Sequence, residues 1–298
     1  MRIAFLGMNG PLSIEALKAA ARDHHVVAIA RPASAGAGSE SGLRDRLRRA
    51  AHALGLRRGD SLEAIADRCG ARVTELYSRS DPALAQLLCD SRPDILCVAS
   101  FPWVLAPELL SIAACGAVNV HAALLPRHRG PLPLFWIYHG DDRQTGVSVH
   151  WMTELADAGD ILLQSSFALP RGESVDMLNR RNALAAGPLL ARALADIAAG
   201  SAPRTPQDDS LATAAPFVRA GTPMVAFESW GAERVWHFLA GLHPRFIEPL
   251  RDAEGAAVAY QGVPGYSIES HRRAIGSVRR RANGAELYCL DGVVHLAT

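Results

Sequence analysis

A continuous apolar run at residues 95–99 constrains the fold of this chain more than any other feature. The run reads Ile-Leu-Cys-Val-Ala and follows Pro93 and Asp94, two residues typical of turns. Five successive apolar residues after a turn signal indicate a strand that is buried on both faces. Such strands occur in parallel sheets covered by helices on both sides. The sequence therefore predicts an α/β fold around a central, mostly parallel sheet.

The first thirty residues predict a βαβ unit of the same kind. An apolar segment from Arg2 to Leu6 ends at Gly7, a segment of helical composition follows Ser13, and a second apolar run spans residues 25–30. Two strands joined by a helix pair in parallel through a right-handed crossover. The turn lacks the Gly-x-Gly-x-x-Gly pattern, which argues against a dinucleotide site here.

A predicted strand from Val118 to His121 carries two polar residues on one side. Asn119 and His121 are two positions apart, and alternate side chains of a strand share a face. An amide and an imidazole side by side can both donate hydrogen bonds to an oxygen that becomes negative during a reaction. A carboxylate from a later loop, with Asp157 as the leading candidate, would hold that imidazole protonated.

The sequence around this strand resembles the folate-dependent formyltransferases, which include glycinamide ribonucleotide, methionyl-tRNA and 4-amino-arabinose formyltransferases. Three segments carry the resemblance in the family's order: Asn-x-His-x-x-Leu-Leu-Pro-x-x-Arg-Gly from Asn119, Thr-Gly-Val from Thr145, and Ala-Asp-x-Gly-x-Ile-Leu from Ala156. Residues 1–7 and 207–213 are also similar to family segments. The resemblance implies a Rossmann-like, doubly wound sheet and an N-formyltransferase that transfers a formyl group from 10-formyltetrahydrofolate to a primary amine.

The resemblance also implies roles for individual residues. Asn119 and His121 would stabilise the oxyanion, while Asp157 would raise the pKa of His121 and relay the proton. The folate is expected between the loop after residue 99 and the loop that precedes Asp157. The implied cofactor-binding residues are Phe101, Trp103, Val104, Leu105, Thr153, Glu154, Leu155 and Ala156. No metal is expected, because the five cysteines have neither Cys-x-x-Cys pairing nor metal-ligand spacing.

The acceptor amine is predicted to belong to a small metabolite, most specifically a nucleotide-linked amino sugar. The segments at residues 8–17 and 145–159 are nearer to the amino-sugar branch of the family, although Pro131 stands where the arabinose enzyme has a basic residue. The candidate substrate-binding residues are Met8, Asn9, Gly10 and Arg129. Formylation of methionyl-tRNA is the alternative. A non-catalytic folate- or nucleotide-binding module is a third, which the intact catalytic trio disfavours.

A change of composition near Gly200 predicts a second domain. Residues 201–209 have the composition of a linker, which gives a catalytic domain at 1–200 and a β-rich C-terminal domain at 207–298. The second domain is similar in position to the OB-like domain of the tRNA and arabinose relatives. Its basic cluster at 272–281 is either a solvated surface or a nucleic-acid contact. The arginines between residues 44 and 58 are either a solvated helix face or a site for an anionic acceptor.

Composition excludes several classes of protein. Hydrophobic residues make up 49% and charged residues 20%, so the chain can bury a sizeable core. A formal net charge of +1 gives no overall attraction to nucleic acid or to a membrane. No apolar run approaches ~18 residues, so we expect a cytoplasmic protein without membrane contact. His128, His139 and His150 are expected to be structural or exposed, and no feature predicts the oligomeric state.

Overall fold

The computed structural model describes residues 1–33 and 60–298. The arginines between residues 44 and 58 lie outside this part of the chain. The described residues form two compact units. The first comprises Met1–Arg129, Gly146–Ser166 and Arg180–Thr213, and the second comprises Gly130–Thr145, Phe167–Asn179 and Ala214–Thr298. A division into domains at 1–200 and 207–298 stays a prediction. Across the described ranges, no helix has the length and apolar character needed to cross a bilayer.

The first unit is built on a sheet of seven strands. The strands are β1 (Arg2–Gly7), β2 (His25–Pro32), β3 (Arg72–Leu76), β4 (Ile95–Ala99), β5 (Ala117–His121), β6 (Gln144–Trp151) and β7 (Ile161–Ala168). Their order is β3-β2-β1-β4-β5-β6-β7. The first five strands run parallel, and β6 pairs antiparallel with β5. The predicted mostly parallel α/β sheet is confirmed, and β4 is buried along its whole length, as its apolar run predicts.

The helices of the first unit are α1 (Pro11–Asp23), α2 (Leu62–Cys69), α3 (Pro82–Ser91) and α4 (Pro107–Leu110). After the catalytic loop come α5 (Pro133–His139), which belongs to the second unit, and α6 (Val175–Ala198), which belongs to the first unit from Arg180 onward. Three leucines of α3 join a core cluster with small residues of the central strands, because alanines at the sheet surface let a helix approach closely. The cluster includes Leu84, Leu87, Leu88, Ala4, Ala28 and Ala30. Ser61 caps α2, since its side chain accepts a hydrogen bond from the Ala64 amide.

The second unit contains a small β-rich region, as the sequence predicts. It holds α7 (Ala232–Leu242) and the strands β8 (Leu250–Arg251), β9 (Ala257–Val258), β10 (Gly262–Ile268), β11 (Val278–Arg281), β12 (Gly284–Tyr288) and β13 (Gly292–Ala297). The last four form an antiparallel sheet in the order β10-β13-β12-β11, and β8 pairs with β9. Three arginines of the basic cluster lie on β11. Arg280 pairs with Asp252 at 3.0 Å and Arg281 with Glu286 at 2.5 Å, so part of this charge is neutralised locally.

Candidate active site

The centre of the candidate site is built by two neighbouring strands. β5 supplies Asn119 and His121, and the antiparallel register of β6 places His150 directly opposite Asn119. Residues opposite each other in such a pair have side chains close enough to interact. The amide nitrogen of Asn119 accordingly lies 3.1 Å from Nε2 of His150. The sequence predicts a structural or exposed His150; the side chain is buried within the candidate site, which excludes the exposed alternative.

A carboxylate enters the site from the tight loop after β6. Asp157 has a φ of 53°, in the left-handed region that few non-glycine residues adopt. Gly159 follows two residues later, and a Cβ there would overlap the carbonyl oxygen of Trp151. The glycine of the Ala-Asp-x-Gly motif therefore allows the close approach that directs the loop back over β6.

Three side chains converge on the carboxylate of Asp157. Its Oδ1 accepts a hydrogen bond from Asn119 at 3.1 Å and lies 3.3 Å from Nε2 of His150. Its Oδ2 lies 3.6 Å from Nδ1 of His121. The structure thus brings the three predicted catalytic residues together and adds a second imidazole to them.

The backbone contacts of the two imidazoles define their tautomers. Nε2 of His121 lies 2.8 Å from the carbonyl oxygen of His128, and Nδ1 of His150 lies 2.8 Å from that of Trp151. A carbonyl oxygen only accepts, so each of these nitrogens carries a hydrogen. The remaining nitrogen of each ring faces Asp157 and becomes a donor to it when the ring is protonated. This arrangement can take up and release a proton.

Burial has the largest effect on the pKa of His121. Removal of the imidazole from water lowers its pKa below the ordinary value, and this effect exceeds the raising effect of Asp157; the neighbouring His150 lowers the pKa further. Asp157 therefore raises the pKa of His121, as expected, but burial has the larger and opposite effect. The two donors predicted to face one oxyanion are also engaged with protein acceptors, namely His128 for His121, and Asp157 and His150 for Asn119.

The segment predicted as a linker contributes a residue to the site. The carboxamide of Gln207 donates to the carbonyl oxygens of Asp157 and Gly159 at 2.8 and 2.7 Å. Its Oε1 accepts from Nε and Nη2 of Arg129 at 3.0 and 2.8 Å. The predicted linker at 201–209 therefore contacts the candidate site through Gln207. The signal for Gln207 was the similarity of residues 207–213 to a family segment.

Arg129, a candidate for substrate binding, holds parts of the site together in this structure. Besides Gln207, its Nη2 contacts a carboxylate oxygen of Asp209 at 2.8 Å, and the side chain is only 17% exposed. Its guanidinium therefore faces the protein segment at 207–209.

A polar hub supports the loop between β5 and Arg129. The hydroxyl of Ser148, on β6, donates to the carbonyl oxygen of Ala123 at 2.7 Å and accepts from the Leu125 amide at 3.0 Å. Gln164 donates to the same hydroxyl at 2.8 Å and to the Leu125 carbonyl oxygen at 2.9 Å. This hydrogen-bond network fixes the start of the loop that provides the His128 carbonyl group.

The residues expected to bind folate lie on two loops of the first unit. After β4, Phe101 and Trp103 pack edge to face with centroids 5.4 Å apart, and both pack on the core. Leu105 is buried, whereas Val104 is 57% exposed. On the loop before Asp157, residues 153–156 are all exposed. Both loops therefore present apolar or backbone surface outside the strand ends.

The other candidates for acceptor binding lie at the start of α1. Asn9 uses its side chain to cap α2: Oδ1 accepts from the Leu62 amide at 2.8 Å, and Nδ2 donates to the Glu63 carboxylate at 3.0 Å. Gly10 is the N-cap residue of α1, and Met8 is 42% exposed. Asn9 is thus committed to helix capping in this structure.

Residues 1–194 match the sequence profile of the family described as Formyl transferase. This chain belongs to the formyl transferase family. The prediction from the three motif segments is confirmed. A methionyl-tRNA formyltransferase from Anaeromyxobacter dehalogenans (strain 2CP-C) is 36% identical over 82% of this chain and 73% of that protein. One from Syntrophus aciditrophicus (strain SB) is 41% identical over 47% of this chain, and the match spans only 45% of that relative's length.

A solved structure confirms the fold of this family member. WlaRD, a sugar 3N-formyl transferase crystallised in the presence of dTDP and 5-N-formyl-THF, aligns with a TM-score of 0.69. The alignment covers 100% of this chain and 97% of WlaRD at 11% identity. Among the described residues, no group of three or more His, Cys, Asp or Glu side chains is arranged to hold a metal ion.

Proposed function

We propose that this protein is an N-formyltransferase that moves the formyl group of 10-formyltetrahydrofolate to a primary amine. The observation that carries the proposal is the convergence of Asn119, His121 and His150 on the Asp157 carboxylate, in a member of the formyl transferase family. Formyl transfer to an amine needs donors for a developing oxyanion and a route for one proton. This cluster has both kinds of group.

The proposed reaction begins when the amine nitrogen attacks the formyl carbon. The carbonyl oxygen becomes negative, and N–H groups of Asn119 and His121 leave their protein acceptors to stabilise it. The Asp157 carboxylate accepts the ammonium proton, directly or through water, and this proton leaves with the N10 nitrogen of the folate when the old C–N bond breaks. One C–N bond forms and one breaks, so the electron count balances without an oxidant.

His150 can release an N–H group of Asn119 when the oxyanion forms. In its neutral form its Nε2 accepts from the amide of Asn119 at 3.1 Å. When Asp157 passes the ammonium proton to Nε2 of His150, that nitrogen can no longer accept, so an N–H of Asn119 is freed for the oxyanion; the proton then returns through Asp157 to N10. The same event turns His150 into a donor to Asp157. Proton uptake and oxyanion stabilisation are thereby coupled in the proposed mechanism.

The proposed folate site lies between the loop after β4 and the loop before Asp157. Ligands of open α/β sheets bind outside the carboxyl ends of the strands, where the first of these loops begins. The aromatic pair Phe101 and Trp103 and the exposed Val104 suit a flat pterin ring, while residues 153–156 offer backbone groups. WlaRD, which shares this fold, was crystallised in the presence of 5-N-formyl-THF, which supports a folate as the formyl donor.

For the acceptor we propose a nucleotide-linked amino sugar. The motif around Asp157 favours that branch, and the local pairing of Arg280 and Arg281 leaves fewer free cations for a nucleic-acid backbone. Methionyl-tRNA is the second candidate. The relatives that are 36% and 41% identical are methionyl-tRNA formyltransferases, which favours this acceptor.

A single assay tests the reaction and both acceptors. Purified protein is mixed with 10-formyltetrahydrofolate and either a panel of nucleotide-linked amino sugars or methionyl-tRNA, and the formylated product is measured by mass spectrometry. We expect product with a sugar and little dependence on salt. Formylation of methionyl-tRNA alone, with a rate that falls steeply as salt rises, would replace the first acceptor by the second. Absence of turnover with every acceptor would favour a non-catalytic folate-binding module.

A further inference from the structure

The Gln207 carboxamide holds both ends of the turn that presents Asp157. One amide group spans two carbonyl oxygens, those of Asp157 and Gly159, at 2.8 and 2.7 Å. These distances are at the short end of the range for N–H···O hydrogen bonds. Asp157 has a left-handed backbone, whose cost in free energy must be offset by other contacts. Gln207 supplies such contacts.

Arg129 fixes the orientation of that carboxamide. Two nitrogens of its guanidinium donate to Oε1 of Gln207, so the amide nitrogen must face the Asp157 turn. Asp209 then pairs with the guanidinium at 2.8 Å. The contacts therefore run from Asp209 to Arg129, from Arg129 to Gln207, and from Gln207 to the Asp157 turn. Each contact joins a donor to an acceptor. If the carboxamide were flipped, its NH2 group would face the Arg129 donors, and its oxygen would face the carbonyl oxygens of Asp157 and Gly159.

The loop before this turn is exposed, so Asp157 needs the contacts from Gln207 to stay in place. Residues 153–156 are exposed, and Leu155 is 66% exposed, so apolar burial does not hold this loop in place. The carboxylate of Asp157 must nevertheless lie within hydrogen-bond reach of Asn119 and both imidazoles. A displacement of about 1 Å at a reacting group can cost about 100-fold in rate.

We propose that Gln207, oriented by Arg129, is a positioning residue that holds the Asp157 carboxylate against Asn119, His121 and His150. The inference rests on the proposed function for its catalytic consequence. Gln207 acts only through Asp157 and does not contact the reacting atoms. Its removal therefore affects turnover more than substrate binding.

The kinetic test uses Gln207→Met, which keeps the length of the side chain and removes its amide. We expect kcat to fall about 10- to 100-fold while KM for folate and for amine changes less than about 2-fold. In an Asp157→Asn background, Gln207→Met should cause no further loss of kcat, because both substitutions impair the same function, that of the Asp157 carboxylate. Gln261→Glu serves as a control, since Gln261 is exposed on the second unit and should keep normal kinetics.

A second readout does not require turnover. The pKa of His121 is measured by histidine NMR in wild type and in Gln207→Met; the groups that face this imidazole are Asp157, His150 and His128. Loosening of Asp157 weakens its raising effect, so the pKa of His121 should fall by about half a unit or more. His295, exposed on β13, reports any global change.

The outcomes separate the two proposals. An unchanged pKa of His121 in Gln207→Met overturns the positioning role. A normal kcat in Gln207→Met overturns it too. So does a fall in kcat that is as large when Gln207→Met is added to Asp157→Asn as when it is made in wild type. A wild-type protein that formylates no acceptor, but whose His121 pKa responds to Gln207→Met, refutes the proposed function. In that case the positioning of Asp157 by Gln207 is retained.

Discussion

Nε2 of His150 lies 3.3 Å from Oδ1 of Asp157. The same carboxylate oxygen accepts a hydrogen bond from Asn119, so the second imidazole belongs to the network of the proposed catalytic residues. Its other nitrogen, Nδ1, is held by the Trp151 carbonyl oxygen at 2.8 Å, so Nε2 is the nitrogen that faces the carboxylate and Asn119. A site with two imidazoles on one carboxylate can hold a proton in more than one place.

We predict that His150→Phe lowers kcat about 10- to 100-fold, because the ring keeps its approximate shape but loses the proton-accepting nitrogen. The acid limb of the kcat–pH profile should change as well. The measurement is steady-state kinetics between about pH 5 and about pH 9, with melting temperatures to verify folding. His295→Phe, at an exposed position, is the control. A wild-type profile in folded His150→Phe protein would exclude this role.

Substitution of the two predicted catalytic groups should have a larger effect. His121→Ala and Asp157→Asn are each expected to reduce turnover by at least about 100-fold, because they remove an oxyanion donor and the proton acceptor. Circular dichroism should show that both variants remain folded. Near-normal turnover in purified, folded His121→Ala protein would falsify the proposed mechanism.

Folate binding can be tested separately from chemistry. Titration calorimetry with a stable reduced-folate analogue should show binding to wild type and about 10-fold weaker binding to Trp103→Ala, since the aromatic surface would be lost from the pocket. Tyr77→Ala is the matched control, because Tyr77 is an aromatic residue that is 71% exposed. Equal affinity in Trp103→Ala and wild type would place the folate elsewhere.

The second unit should lose stability in mild acid. Burial and the nearby Arg171 lower the pKa of His237 from 6.5 to about 4. Between these values the unfolded chain binds a proton that the folded chain does not, so the free energy of unfolding decreases as the pH falls. The loss from this group is about 1.5 kcal/mol between about pH 6.5 and about pH 5.

Urea unfolding of wild type and His237→Gln at both pH values tests this expectation. The wild-type free energy of unfolding should fall by about 1.5 kcal/mol more than that of the variant, whatever the variant's own starting stability. His295→Gln should behave like wild type because His295 is exposed. Parallel pH dependence of wild type and His237→Gln would show that His237 is not the titrating group.

Local pattern was sufficient for the centre of the fold. The run at β4 and the βαβ unit of β1, α1 and β2 are where the sequence predicts them, because a strand buried on both faces needs apolar residues throughout. The sequence does not predict the edge strand β3 or β7. β3 has a single buried residue, and β7 buries only Leu162, so their pairing depends on the neighbouring strands more than on their own composition.

The sequence alone determined the residue types of the proposed chemistry. The two-residue period of β5 puts Asn119 and His121 on one face, and the spacing Ala-Asp-x-Gly identifies Asp157. Tertiary structure decided the rest of the site. His150 joins it through the register between β5 and β6, and Gln207 through the return of a segment 50 residues after Asp157. The protonation of His121 also depends on the fold, because burial outweighs its carboxylate partner. Each of these depends on contacts between distant parts of the chain, which local sequence periodicity does not encode.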